Sequence, residues 1–123
     1  MSQDYQLSVV TKAKQLAKLT YQICKEIPEE KYILVPQMCR AAISVPSNLV
    51  EGQQRGLKEF LQFIRIARGS LYELKIQLEL AYEIYGFRFR DSYSEAINLI
   101  DEIGKMTYGL TKGLNVQITD TED

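Results

Sequence analysis

Phe60, Ile64, Ala67, Leu71, Leu74, Leu78, Ala81 and Tyr85 step 4, 3, 4, 3, 4, 3, 4 along the chain without a miss. Such a series falls on one side of a helix, because 3.6 residues per turn return the chain to the same face every three or four positions. From residue 58 to residue 85 the helix spans about 42 Å at about 1.5 Å per residue. Its other side is apolar as well: at about 100° per residue, Ile66, Gly69, Ile76, Leu80 and Ile84 gather opposite the seam. One bundle core cannot bury both faces. Scattered exposed aliphatics are ordinary and can pack under a loop or tolerate water. A contiguous apolar patch along a long helix instead invites association, so the second set is read as a subunit interface and the expected partner is another copy of the chain.

The remaining helices follow from the same spacing. Val9, Ala13, Leu16, Thr20 and Ile23 place one over residues 6–26, and Pro28 ends it because proline lacks the backbone donor and disfavours helical dihedrals before it. Pro36 suits a first helical turn, and Met38, Ala41, Ala42, Val45 and Leu49 extend the second helix over 35–52. Pro46 lies inside it, so a bend is expected near 42–46. Gly52 and Gly56 bracket the next turn, around Arg55. Gly86 suits the stop of the third helix, and Ser92 with Glu95 has capping-box spacing, which starts the fourth near 92. Tyr93, Ala96, Ile100, Ile103, Thr107, Leu110 and Leu114 carry the seam to 115. No strand alternation, phosphate loop or internal repeat stands out. The expected architecture is all-α: an antiparallel up-down-up-down four-helix bundle over residues 1–115 with a proline-bent second helix. Residues 116–123, with three acids and no base, are expected to form a frayed tail.

Composition narrows the chemistry. A chain of 123 residues can form one domain that buries roughly two thirds of its unfolded surface. It has no histidine, and so lacks the commonest general base and the commonest metal ligand. Dinuclear metal sites in bundles are ordinarily built on Glu-x-x-His motifs; a carboxylate-only set of Glu51, Glu73 and Asp101 has no diagnostic pattern, and Ser44, Ser47 and Ser70 have no histidine to activate them. The expectation is a non-enzyme without cofactor or metal. Cys24 and Cys39 lack the CxxC spacing of a metal or redox motif and are read as small apolar side chains in a reducing cytosol. The polar stretch Met1 to Gln6, and the lack of any apolar run near the roughly 18 residues a bilayer requires, point to a cytoplasmic protein without membrane contact.

Two polar patterns suggest surfaces. Arg40, Ser44, Asn48, Glu51 and Arg55 step 4, 4, 3, 4 down the second helix, close enough to meet one another. Read blandly, this is a solvated face; read sharply, it is a bonded strip that fixes helix register or subunit geometry and reaches Ser70 and Glu73. Arg65, Arg68 and Lys75 flank the third helix with Tyr72, near Arg55 and Lys58 at its start, and cations beside an aromatic can hold phosphates and stack a base. Against nucleic acid stands a net charge of −1, from 15 basic and 16 acidic residues, since a nearly neutral chain generates little of the field that drives such binding.

Gln37, the run Arg40-Ala41-Ala42-Ile43-Ser44-Val45-Pro46-Ser47-Asn48-Leu49-Val50-Glu51-Gly52, and Arg55 carry a family likeness, as do Glu59-Phe60, residues 66–74 (Ile66 to Leu74), Gln77-Leu78, and Pro28 with Tyr32. Over most of residues 9–114 the chain resembles the small bacterial four-helix-bundle proteins first noticed as products of intervening sequences in large-subunit ribosomal RNA genes, often labelled ribosomal proteins. The likeness is specific in the second and third helices; in the first and fourth it is mainly the apolar pattern that agrees. It implies an antiparallel bundle assembling into a ring, a pentamer in known relatives. A related branch, the accessory proteins of diversity-generating retroelements, binds a reverse transcriptase and nucleic acid through a strongly basic surface. This chain departs from the pattern in lacking tryptophan, common in the first helix of the family, and in its −1 charge. The resulting expectation is a homo-oligomeric, pentameric interaction scaffold for a macromolecular partner. The alternative is an RNA- or DNA-binding accessory protein, ribosomal RNA or reverse-transcriptase associated, using Arg55, Lys58, Arg65, Arg68, Tyr72 and Lys75.

Overall fold

Four α-helices follow one another in the computed structural model, which describes residues 3–122: α1 Gln3–Lys25, α2 Leu34–Gln53, α3 Leu57–Tyr85 and α4 Arg90–Glu122. Single 3-10 turns at Pro28–Glu30 and Gly86–Arg88 lie in the first and third connections, and no strand occurs among the described residues. Connections this short force neighbours to run antiparallel. The register agrees: Cys24 faces Cys39 while Gln53 reaches back to Gln6, and Arg68 reaches residues 104 and 107 while Tyr82 stacks on Tyr93. Each helix packs on two others in the cyclic order α1, α2, α3, α4, and the α2–α3 pair is the most extensive.

The seam of α3 faces inward as its spacing requires: Phe60, Ile64, Ala67, Leu71, Leu74, Leu78 and Ala81 are all buried. They meet Leu16 and Ile23 of α1, Met38 and Leu49 of α2, and Ile100, Ile103 and Leu110 of α4 in one core. Fully burying side chains of this size contributes roughly 1.5–3 kcal/mol each. Thr20 and Thr107 also lie in the core, and their hydroxyls donate to the carbonyls of Leu16 at 2.8 Å and Ile103 at 2.7 Å. Each polar group is thus satisfied within its own helix. Gly52 permits the close approach of α2 to the start of α3: a Cβ there would lie 2.7 Å from Cβ of Phe63 and 2.8 Å from the Phe60 ring.

Helix boundaries depart from expectation at both ends of α4. The helix begins at Arg90, so Ser92 lies inside its first turn and does not pair with Glu95 as a capping box. Burial of Phe89 decides the entry. The Phe89 carbonyl accepts the Tyr93 amide at 2.8 Å, and its ring meets Tyr82 edge-on at 6.3 Å between centroids. At the far end α4 continues through Glu122 past the expected stop at 115. Half-buried Ile118 packs against the core, and the hydroxyls of Thr119 and Thr121 bond back to the carbonyls of Asn115 and Gln117. The stretch expected to fray from 116 is therefore helical to 122; Met1, Ser2 and Asp123 lie outside the described residues. α2 continues as one helix through Pro46. No described helix is long and apolar enough to cross a membrane.

Candidate functional site

The outward side of α3 carries its second apolar set in the open. Ile66 is 44% exposed, Ile76 65%, Leu80 47% and Ile84 52%. A methyl group placed on Gly69, in the same stripe, would meet nothing within 4 Å. Within the protomer these residues lie opposite the buried seam, so folding has already used the other face of the helix.

Beside the stripe runs the α2–α3 junction. Ser44 Oγ lies 2.7 Å from Ser70 Oγ, and Asn48 Nδ2 donates to Ser44 Oγ at 2.9 Å and to the Ser44 carbonyl at 2.8 Å. This triad ties α2 to α3. The ends of the expected strip are separate pairs. Arg40 donates to Gln37 Oε1 at 2.8 Å. Arg55 pairs with Glu51 and, at 3.5 Å, with Glu59; the hydrogen bond that its guanidinium donates to the Glu51 carboxylate is the main cause that raises the Arg55 pKa. Glu73 accepts from Gln77 Nε2 at 3.3 Å on its own helix, and the buried Gln77 Oε1 has no hydrogen-bond partner among the described residues. The strip is thus a central α2–α3 link with local pairs on either side.

Two of the basic candidates, Arg55 and Arg68, are engaged within the protomer. Arg68 is half-buried and donates to the Gly104 carbonyl and, at 2.8 Å, to Thr107 Oγ1 of α4, with its guanidinium 5.6 Å from the Tyr72 ring and 5.8 Å from the Tyr108 ring. The Tyr72 hydroxyl sits so near Gly104 that a Cβ there would lie 2.5 Å from it. Arg68 and Tyr72 thus pack α3 against α4, and Arg55 already faces two carboxylates. Lys58 and Arg65 are exposed, and Lys75 is half-buried.

Three features lay outside the sequence reading. Cys24 and Cys39 face each other across α1 and α2 with sulfurs 3.8 Å apart, and burial, reinforced by the neighbouring thiol, pushes the Cys24 pKa up to about 12. At one end of the bundle Arg88 pairs with Glu29 at 2.8 Å and donates to the Glu26 carbonyl at 3.1 Å, while Tyr85 donates to Glu30 at 2.8 Å. These groups are 55 or more residues apart in sequence, so no local pattern announces them. The third feature is a second apolar surface on α1 and α2, where Tyr21 is 45% exposed, Ile43 46% and Val50 44%. Here a signal was present: Cys39, Ile43, Pro46 and Val50 step 4, 3, 4 beside the buried seam of α2. A shallow groove of about 510 Å³ lies along this surface, lined by Ala17, Lys18, Tyr21, Gln22, Lys25 and Ile43.

Among functionally curated proteins, none matches this chain significantly. Among solved structures, a protein of unknown function from the S23 ribosomal protein family of Bacteroides thetaiotaomicron matches with a TM-score of 0.76 and 22% identity, over 88% of this chain and 98% of that one. That likeness shows the shared fold. The family model described as 23S rRNA-intervening sequence protein matches residues 5–109, which take in α2, α3 and most of α1 and α4. The chain belongs to the 23S rRNA-intervening sequence protein family.

Proposed function

We propose that this protein is a non-enzymatic, cytoplasmic, homo-oligomeric interaction scaffold whose copies meet through the outward face of α3. The observation that carries this reading is the exposed stripe of Ile66, Ile76, Leu80 and Ile84. Burying such side chains contributes up to roughly 1.5–3 kcal/mol each, so four in one contact supply enough to offset part of the cost of association. The subunit number in this reading is five, after the family the chain resembles. Reading the chain instead as a nucleic-acid accessory finds little support in Arg55 and Arg68, whose charges are engaged within the protomer.

Leu80→Glu tests the scaffold reading, because it puts a charge in the proposed contact without touching the buried seam. Light scattering is expected to give a multiple of the protomer mass for the unsubstituted chain and a single protomer mass for the variant, with helicity retained in circular dichroism. Assembly unchanged by the substitution overturns the placement.

A further inference from the structure

We propose that Cys24 and Cys39 form a reversible redox site, at which a low-molecular-weight disulfide oxidises the two thiols to a bond that pins α1 to α2. The inference is independent of the scaffold reading and uses only groups within one protomer. The chain has two cysteines, and the fold brings them together: their sulfurs lie 3.8 Å apart across the α1–α2 contact, although the residues are 15 apart in sequence. A disulfide needs about 2.0 Å between its sulfurs. Small rotations of two side chains whose sulfurs already face each other supply that closure. With no third thiol in the chain, nothing else within the protomer competes for either sulfur.

Exposure gives the two sulfurs different roles. Cys24 is buried and Cys39 is half-buried, so an external disulfide reaches Cys39 first. The Cys24 pKa, pushed up to about 12, keeps that thiol protonated at neutral pH and inert toward anything but a sulfur delivered beside it. In the first step the Cys39 thiolate attacks one sulfur of the external disulfide. The external S–S bond breaks, one external thiolate leaves and takes up a proton, and a mixed disulfide remains on Cys39. In the second step the Cys24 sulfur attacks the Cys39 sulfur; the mixed bond breaks, and the second external thiolate leaves with the Cys24 proton. Two protein thiols are oxidised and one external disulfide is reduced to two thiols. The product closes the α1–α2 connection, with its 3-10 turn at Pro28–Glu30 and the exposed Tyr32 and Ile33, into a covalent loop. Such a closure removes freedom mainly from the unfolded chain, so the oxidised protein is the more stable form. Excess external thiol reverses both steps.

Glutathione disulfide is the probe. The folded, unsubstituted chain is incubated with it at neutral pH, free thiols are then blocked with an alkylating agent, and intact and peptide masses are measured. The expected product is a chain lighter by two hydrogens, with no alkylated cysteine and a cross-linked peptide pair holding Cys24 and Cys39; dithiothreitol restores both thiols. The oxidised form is expected to unfold at a temperature roughly 10 °C above the reduced form. Cys24→Ser is expected to stop at one glutathione adduct on Cys39, and Cys39→Ser to take up no adduct while folded, with helicity checked by circular dichroism. Two thiols still free after incubation, or bonds between chains in place of the bond within one, overturn the site. Adduct formation at Cys24 of folded Cys39→Ser, as fast as at Cys39 of Cys24→Ser, overturns the assigned order of attack. An unfolding temperature that does not rise on oxidation overturns the pinning of α1 to α2. Where a variant loses helicity, the unsubstituted chain alone decides the outcome.

Discussion

The two faces of α3 are made of the same kinds of residue and meet opposite fates. Leu71, Leu74 and Leu78 face inward and are fully buried, while Ile76, Leu80 and Ile84 on the same helix face outward and are exposed. Helical periodicity sorts residues onto faces without regard to what covers each face. The inward set is covered by the other three helices of the same chain. The outward set stays exposed on the protomer and is the face proposed to meet another copy. The contrast therefore separates what stabilises the protomer from what is available to join protomers.

The largest expected effect sharpens that contrast directly. Leu74→Ala should cost about 2–5 kcal/mol in denaturant unfolding, from lost burial plus the cavity left behind. Ile76→Ala, measured in the Leu80→Glu background expected to be monomeric, should shift stability by no more than about 0.5 kcal/mol. Equal costs at the two positions would break the comparison. Next in size is Arg68→Ala, expected to cost about 1.5–3 kcal/mol because it removes a charged donor from the α3–α4 junction. If Arg68 served only an external ligand, thermal unfolding of the free protein would not register the change.

Ser44→Ala should cost about 1 kcal/mol, since it leaves the Ser70 hydroxyl and the Asn48 amide short of a partner. In a double-mutant cycle with Ser70→Ala the two losses should fall short of additive by about 0.5 kcal/mol or more. Additive losses would remove the α2–α3 link from the account. The smallest effect lies at the Arg88–Glu29 pair, where the guanidinium holds the Glu29 carboxyl below the usual carboxylate range. A carboxyl whose pKa is depressed on folding adds stability that is fully present above its unfolded value, roughly 4.3, and is lost as pH falls through the folded value. The small stability difference between the unsubstituted chain and Arg88→Ala, seen at neutral pH, should shrink as the pH falls into the range below 4.3. A difference that grows on acidification contradicts the pairing.

The bundle was legible because its core is written in a local period. The inward residues of all four helices repeat every three or four positions, and that spacing needs no knowledge of neighbours. Ser70 was reachable from the polar spacing of α2, whereas Glu73 bonds along its own helix and does not join α2. Arg68 was not legible as a packing residue: its partners Gly104 and Thr107 lie 36 and 39 residues away, and a flanking arginine looks alike whether it faces water or the next helix. Cys24 and Cys39 were equally opaque, since only the register of α1 on α2 brings their sulfurs together. The start of α4, expected near 92, lies at Arg90, directly after the buried Phe89, whose burial no local pattern announces. Its end was missed because Ile118 continues the packing beyond the last residue counted in the seam.

Light scattering of the unsubstituted chain across a dilution series in the micromolar range tests most directly whether the outward face of α3 joins one copy to another. The account predicts a discrete multiple of the protomer mass, five in the proposed ring. A single protomer mass at every concentration contradicts it.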